Sequence, residues 1–255
     1  MNAWRLLLTR PAEDCAVTAQ ALAEQGIYSS SLPLLAIEPL AETPEQRSLI
    51  LDLDRYHAVI VVSKPAARLG LDLVDRYWPQ PPLGPQWFSL GEATGHILSD
   101  YGLDASWSEQ GVDSEALLAH PQLIKALAQP EPRVLFIKGE GGRSLLGDNL
   151  NAQGVQTDSL TLYRRRQPQY APNTLLQRLT DEALNGLVVT SGQGLLSLRA
   201  LAADAWPIPV TLFVPSSRVA EMARQMGMGN IVDCCGAGTP ALLNALRNTP
   251  VPTAA

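Results

Sequence analysis

The sequence predicts an α/β fold: two domains, each a doubly wound parallel sheet. Three observations carry that expectation. Short apolar or β-branched runs alternate with helix-like stretches along the chain, several of those runs are hydrophobic at nearly every position, and the chain matches itself at a nearly constant offset.

In chain order the strand-like runs are "WRLLLT" from Trp4, "AVIVVS" from Ala58, "QWFSLG" from Gln86, "RVLFIK" from Arg133, "TDSLTLY" from Thr157, "GLVVTS" from Gly186, "VTLFVP" from Val210 and "NIVDCC" from Asn230. Runs without a polar alternate need cover on both faces, which helices on either side of a parallel sheet provide. The first run leads through "TRP" into a helix whose start carries Glu13 and Asp14, where acidic groups suit the macrodipole. Asp52 and Asp54 in "LDLDRY" fit a solvated helix face.

Self-comparison superposes "LAEQGIYSSSLPLL" (Leu22 to Leu35) on "LNAQGVQTDSLTLY" (Leu150 to Tyr163), placing Gly26 on Gly154 and Leu32 on Leu160 at an offset of 128 residues. The same offset carries Ser63, at the end of "VIVVS", onto Ser191, at the end of "GLVVTS". Further on, Gly102 meets Gly227 and "EALL" at Glu115 meets "PALL" at Pro240, with the offset near 125. The chain thus reads as four blocks, A, B, A′ and B′. Two packings are compatible with it: halves split near residue 128, or A with B′ and B with A′. Pro33, Pro39 and Pro44, with Pro168 and Pro172, mark two candidate crossings between domains.

Composition narrows the class. At 255 residues, 46% hydrophobic and a mean hydropathy of +0.01, the chain is expected to be a soluble globular protein with a sizeable core. No apolar run approaches the ~20 residues that span a bilayer, and the opening "MNAWRLLLTRPAED" does not read as a signal peptide. The cytoplasm is the expected compartment. Cys15, Cys234 and Cys235 do not all pair, in keeping with reducing surroundings. A net charge of −6 argues against nucleic-acid binding.

Several chemistries are poorly supported. In "KGEGGRS" Gly139, Gly141 and Gly142 approach a dinucleotide-binding turn, but Ser144 stands where the third glycine belongs, and the next strand ends in Tyr163 and Arg164 to Arg166 rather than an acid. Arginines there leave an NADP-linked enzyme as an alternative. A P-loop and a G-x-S-x-G elbow are both missing, and Ser191 in "VTSGQG" has the wrong order for the latter. His57, His96 and His120 lie far apart, so no metal site is expected.

What remains is a set of polar loops at strand ends: "TRP", "SKPA", "GEATG", "KGEGGR", "TSGQG" and "PSSR". Ligands of open α/β sheets bind outside the carboxyl ends of the strands, where helix N-termini present free N–H groups. Arg10, Lys64, Lys138, Arg143 and Arg218 among these loops point to a polyanion. The plainer alternative makes the Ser and Thr residues helix caps and leaves the cations solvated.

Together "LLTRP", "LPLLAIEP", "SLGEATG", "KGEGGRSLLGDNLNAQG", "LTLYRRR", "VVTSGQG" and "VPSSRVAEMARQMG" resemble, in order and over nearly the whole chain, the uroporphyrinogen-III synthases of bacteria. The resemblance implies two α/β domains joined by a two-stranded β ladder, the first discontinuous: residues 1–34 with 169–255, then 38–162, with the ladder at about 33–39 and 161–168. It implies an active site in an interdomain cleft, without cofactor or metal, in a cytoplasmic monomer with no nucleic-acid or membrane partner. The implied reaction dehydrates and cyclises hydroxymethylbilane, a linear tetrapyrrole with eight carboxylates, inverting ring D through a spiro intermediate. Tyr163 becomes the candidate acid. The expected substrate contacts are Arg10, Ser63, Lys64, Gly91, Thr94, Lys138, Gly139, Gly141, Gly142, Arg143, Thr190, Ser191, Ser216 and Ser217. A non-catalytic two-domain polyanion-binding module is the remaining alternative.

Overall fold

The structure is a computed structural model that describes residues 3–108, 114–141 and 145–252. The chain runs β1 (Arg5–Leu8), α1 (Ala12–Ala23), β2 (Tyr28–Ser31), β3 (Ala36–Pro39), α2 (Pro44–Leu51), β4 (Ala58–Val61), α3 (Lys64–Tyr77), β5 (Gln86–Ser89), α4 (Glu92–Asp100), β6 (Ala105–Ser106), α5 (Ser114–Leu118), α6 (Pro121–Leu127), β7 (Arg133–Gly139) and α7 (Leu145–Ala152). It continues through β8 (Gln156–Arg166), α8 (Thr174–Asp181), β9 (Gly186–Val188), α9 (Gly192–Ala202), β10 (Thr211–Val214), α10 (Ser217–Gln225), β11 (Ile231–Asp233) and α11 (Thr239–Asn248). All eight strand-like runs form strands. Two compact units result, Met1–Ala36 with Arg166–Ala255, and Ile37–Arg165.

In the first unit the sheet order is β11-β10-β9-β1-β2, with every pair parallel. Alternation along β1 shows why it is covered twice. Leu6 and Leu8 pack with Val188, Phe213 and the α1 and α11 residues Cys15, Leu22, Leu242 and Leu246. Leu7 faces the other way, against Leu187, Leu212 and the α9 and α10 residues Leu195, Leu198, Val219 and Ala223. Burying each such leucine contributes about 1.5–3 kcal/mol.

The second unit has the order β3-β8-β7-β4-β5-β6. Val59, Val61, Leu135 and Ile137 face α3 and α4, whereas Ala58, Ile60, Val134 and Phe136 face Leu117, Leu123, Leu146 and Leu150. β3 lies beside β8 at the sheet edge, so the strand pair expected as a ladder is continuous with this sheet.

Strand order explains the internal repeat. β1 and β2 take the places in one sheet that β7 and β8 take in the other, and β9-β10-β11 match β4-β5-β6. Each unit therefore combines one A-type with one B-type block. The superposed glycines close equivalent helices. Gly26, Gly102, Gly154 and Gly227 all have positive φ, between +71° and +101°. The amide after each (Ile27, Leu103, Val155, Met228) donates to the carbonyl five residues back, at 2.9–3.1 Å. This is a Schellman closure, which needs a residue that enters the left-handed region without a Cβ penalty. Among the described residues no helix is long and apolar enough to cross a membrane.

Candidate functional site

Both sheets reverse their strand order once, between β1 and β9 in the first unit and between β7 and β4 in the second. Those reversals are where open α/β sheets leave a crevice outside the carboxyl ends of their strands. The helices that follow begin alike. Ser63 and Ser191, equivalent in the repeat, are extended N-caps whose hydroxyls accept from the Ala66 and Gly194 amides at 3.3 and 3.0 Å. Gly91 and Ser216 are extended N-caps of α4 and α10 that make no side-chain cap bond.

At the reversal of the second unit the structure brings Tyr163, Ser63 and Gly139 together. Between β7 and β8 the register runs Lys138 with Thr161, then Gly139 with Tyr163, so Leu162 is the extra residue of a bulge. A bulge breaks the two-residue alternation and re-aims the next side chain. As a result Leu160, Leu162 and Tyr163 all join the α3-side core, and the Glu140 amide donates to the Tyr163 carbonyl at 2.7 Å. Tyr163 is 2% exposed, and its hydroxyl lies 2.9 Å from Ser63 Oγ. Its ring occupies the space that a side chain at 139 would need: an ideal Cβ there falls 2.6 and 2.8 Å from ring carbons Cε2 and Cε1.

That packing also bears on a nucleotide at this loop. The first glycine of a dinucleotide turn leaves its space for a tight turn beside a pyrophosphate, whereas at Gly139 a tyrosine ring of the same chain fills it. Gly141 has φ +71° with open space around its Cα. Gly142 and Arg143 lie outside the described residues.

The other expected residues distribute over both sets of loops. Lys64 is the first residue of α3, behind its cap Ser63. Lys138 is half-buried on β7, and Thr94 is buried in the first turn of α4. In the first unit Thr190 is half-buried after β9, Ser191 and Ser217 are exposed, and Ser216 is half-buried. Arg10 is held by two contacts: Nη2 lies 3.3 Å from Asp14 Oδ2, and Nη1 donates to the Ala237 carbonyl at 3.2 Å.

Two features carried no expectation. A cavity of about 20 Å³, room for one water, is lined by Thr9, Arg10, Cys15, Thr190 and the loop Gly236 to Thr239. Only the glycines of "CCGAGTP" hint at that loop in the sequence. Burial raises the Cys15 thiol and, with Asp233 close by, pushes Cys234 up to about 11. Neither is poised as a nucleophile. The second feature is Trp107, whose indole sits over Gly95 and 5.2 Å from the His96 ring. The histidines have structural partners: His57 Nδ1 accepts from the Arg133 amide, and His120 packs edge-on to Phe88. Among the described residues no group of three metal-ligating side chains occurs.

A family model described as "Uroporphyrinogen-III synthase HemD" matches residues 16–243. The chain belongs to the uroporphyrinogen-III synthase family. It is 29% identical to the uroporphyrinogen-III synthase of Salmonella typhimurium over 249 residues, 95% of this chain and 99% of that one. The Escherichia coli uroporphyrinogen-III synthase is likewise 29% identical, over 252 residues and the same shares. Among solved structures, a mutant uroporphyrinogen III synthase of Thermus thermophilus covers 97% of the chain at a TM-score of 0.56 and 16% identity. The uroporphyrinogen-III synthetase of Helicobacter pylori covers 96% at 0.55 and 15%. These two share the fold. Family membership makes the protein an enzyme of tetrapyrrole synthesis, a cyclising lyase acting on a small tetrapyrrole, with a role in haem biosynthesis. It decides against a non-catalytic binding module and an NADP-linked enzyme.

Proposed function

We propose that the enzyme dehydrates and cyclises hydroxymethylbilane to uroporphyrinogen III, with Tyr163 as the acid that releases the ring-A hydroxyl. The single observation that supports this placement is the Tyr163 hydroxyl, fixed beside Ser63 at the strand-order reversal of the second unit. Protonation by the phenol lets the C–O bond break, and water leaves behind an azafulvenium cation. The substituted α-carbon of ring D attacks that cation to form the spiro intermediate. The bond from this carbon to the ring-C methylene then breaks, and the methylene recloses on the free α-carbon of ring D. Loss of the proton from that carbon restores the pyrrole and reprotonates Tyr163. Across the cycle one water is lost and the enzyme returns unchanged.

Free hydroxymethylbilane closes without rearrangement, so holding its shape matters as much as protonation. For the carboxylates we assign the N–H groups and side chains at Ser63, Lys64, Gly91, Thr94, Lys138, Gly139, Gly141, Gly142 and Arg143. To these we add Arg10, Thr190, Ser191, Ser216 and Ser217 of the first unit. Helix N-termini and cations suit carboxylates on physical grounds. We place the enzyme in the cytoplasm as a monomer. The test supplies freshly made hydroxymethylbilane and separates the oxidised porphyrin isomers. Isomer III formed in proportion to enzyme supports the assignment, and isomer I alone from folded protein contradicts it.

A further inference from the structure

We infer that Gly139 is a positioning residue for the proton transfer, holding the Tyr163 hydroxyl in register by having no side chain. This rests on Tyr163 being the acid. Tyr163 sits directly after the bulged residue of a parallel pair, where the alternation of the strand no longer decides which way its ring points. Three contacts decide it instead. The Glu140 amide holds the Tyr163 carbonyl, Ser63 Oγ lies 2.9 Å from the hydroxyl, and the flat face of Gly139 receives the ring. Gly139 is buried as the last residue of β7, and Val134 to Ile137, earlier in the same strand, are core residues. The strand beneath the ring therefore has little room to retreat.

A methyl group at 139 meets the ring at well under van der Waals separation, closer to Cζ than to either Cε. Ring atoms are part of a rigid plane, so the ring must tilt or slide as a body. The hydroxyl then leaves Ser63. The added methyl leaves the backbone N–H groups assigned to the carboxylates in place and strikes the Tyr163 ring, so the loss falls on proton delivery more than on substrate affinity. Gly141 provides the contrast: its Cα has open surroundings, and it is glycine because of its positive φ.

The test compares Gly139→Ala, Tyr163→Phe and the double variant, measuring kcat, KM and the ratio of isomer III to isomer I. We expect Gly139→Ala to lower kcat by roughly 10-fold or more, with KM changed less than about twofold, since small misplacements of a reacting group are costly. In the Tyr163→Phe background the same substitution should change kcat by less than about twofold, because no hydroxyl remains to misplace. Equal losses in both backgrounds overturn the inference and leave the acid role of Tyr163 standing. An unchanged kcat in Tyr163→Phe overturns the acid role, and the inference with it. If Gly139→Ala unfolds, its thermal midpoint is measured against Gly139→Ala/Tyr163→Ala. Recovery to the midpoint of Tyr163→Ala supports ring seating, and no recovery overturns it.

Discussion

Tyr163 and Ser63, one hundred residues apart, meet with their hydroxyl oxygens 2.9 Å from each other. The contact ties the end of β8 to the N-cap of α3, so one serine hydroxyl serves a helix terminus and the candidate acid together. Its repeat-equivalent, Ser191, caps α9 in the first unit.

Ser63→Ala and Ser191→Ala should each destabilise their own unit by about 1 kcal/mol, the usual worth of an N-cap hydroxyl. Ser63→Ala should additionally reduce kcat by releasing Tyr163. Thermal unfolding with steady-state kinetics separates the two effects. A Ser63→Ala enzyme with full turnover argues against a role for the pair in proton delivery.

Glycine substitutions should sort by cause. Gly26→Ala and Gly154→Ala face open space but hold φ of +71° and +83°, so each should cost about 1–2 kcal/mol in backbone strain. Gly186→Ala brings a methyl to 2.6 Å from Leu6 Cδ2 and 3.1 Å from Phe213 Cε2, an overpacking error of about 1–3 kcal/mol. Denaturant melts check the sizes. In Gly26→Ala and Gly154→Ala, replacement by Asn instead of Ala should recover part of the loss, whereas at Gly186 Asn should be worse.

The four glycine turns show how much of the fold was legible. Gly26, Gly102, Gly154 and Gly227 stand out in self-comparison because one left-handed closure recurs after α1, α4, α7 and α10. Apolar runs gave all eight expected strands, since strands covered on both faces have no polar alternate to hide them. β2, "YSSS", escaped because it is a polar strand at the sheet edge, and β6 because it is two residues long. The repeat by itself left open which blocks pack together: it says that A resembles A′, while the pairing of β1 with β9 is a long-range fact. At the candidate site, the sequence singled out Ser63 and Tyr163 as residues and said nothing of their contact. It depends on a one-residue bulge at Leu162 and on Gly139 accommodating a ring, neither of which leaves a local pattern.

The thiols predict alkaline behaviour. Burial raises Cys15 and takes Cys234 to about 11, above the ~8.5 of an unfolded thiol. The folded protein then retains protons that the unfolded chain loses. Stability from these sites is complete below the unfolded value and lost as pH climbs from there through about 11. Cys234→Ala should flatten the fall in thermal midpoint over that range. An unchanged slope contradicts the assignment. In native protein at pH 8, iodoacetamide should label exposed Cys235 before buried Cys15 and Cys234, as peptide mass spectrometry will show.

If the loops bind carboxylates through cations and helix termini, product affinity should fall as salt rises from about 0.01 to 0.5 M, because screening shortens the reach of exposed charges. Isothermal titration at several ionic strengths measures it. Affinity independent of salt contradicts a polyanion site.

The most direct measurement is a single turnover of hydroxymethylbilane by wild-type enzyme and Tyr163→Phe, quenched by oxidation and resolved into isomers I and III. With the acid at Tyr163, the variant should remain folded and form isomer III at least ~10-fold more slowly, so that spontaneous closure diverts most substrate to isomer I. Isomer III formed at the wild-type rate by Tyr163→Phe would contradict the account.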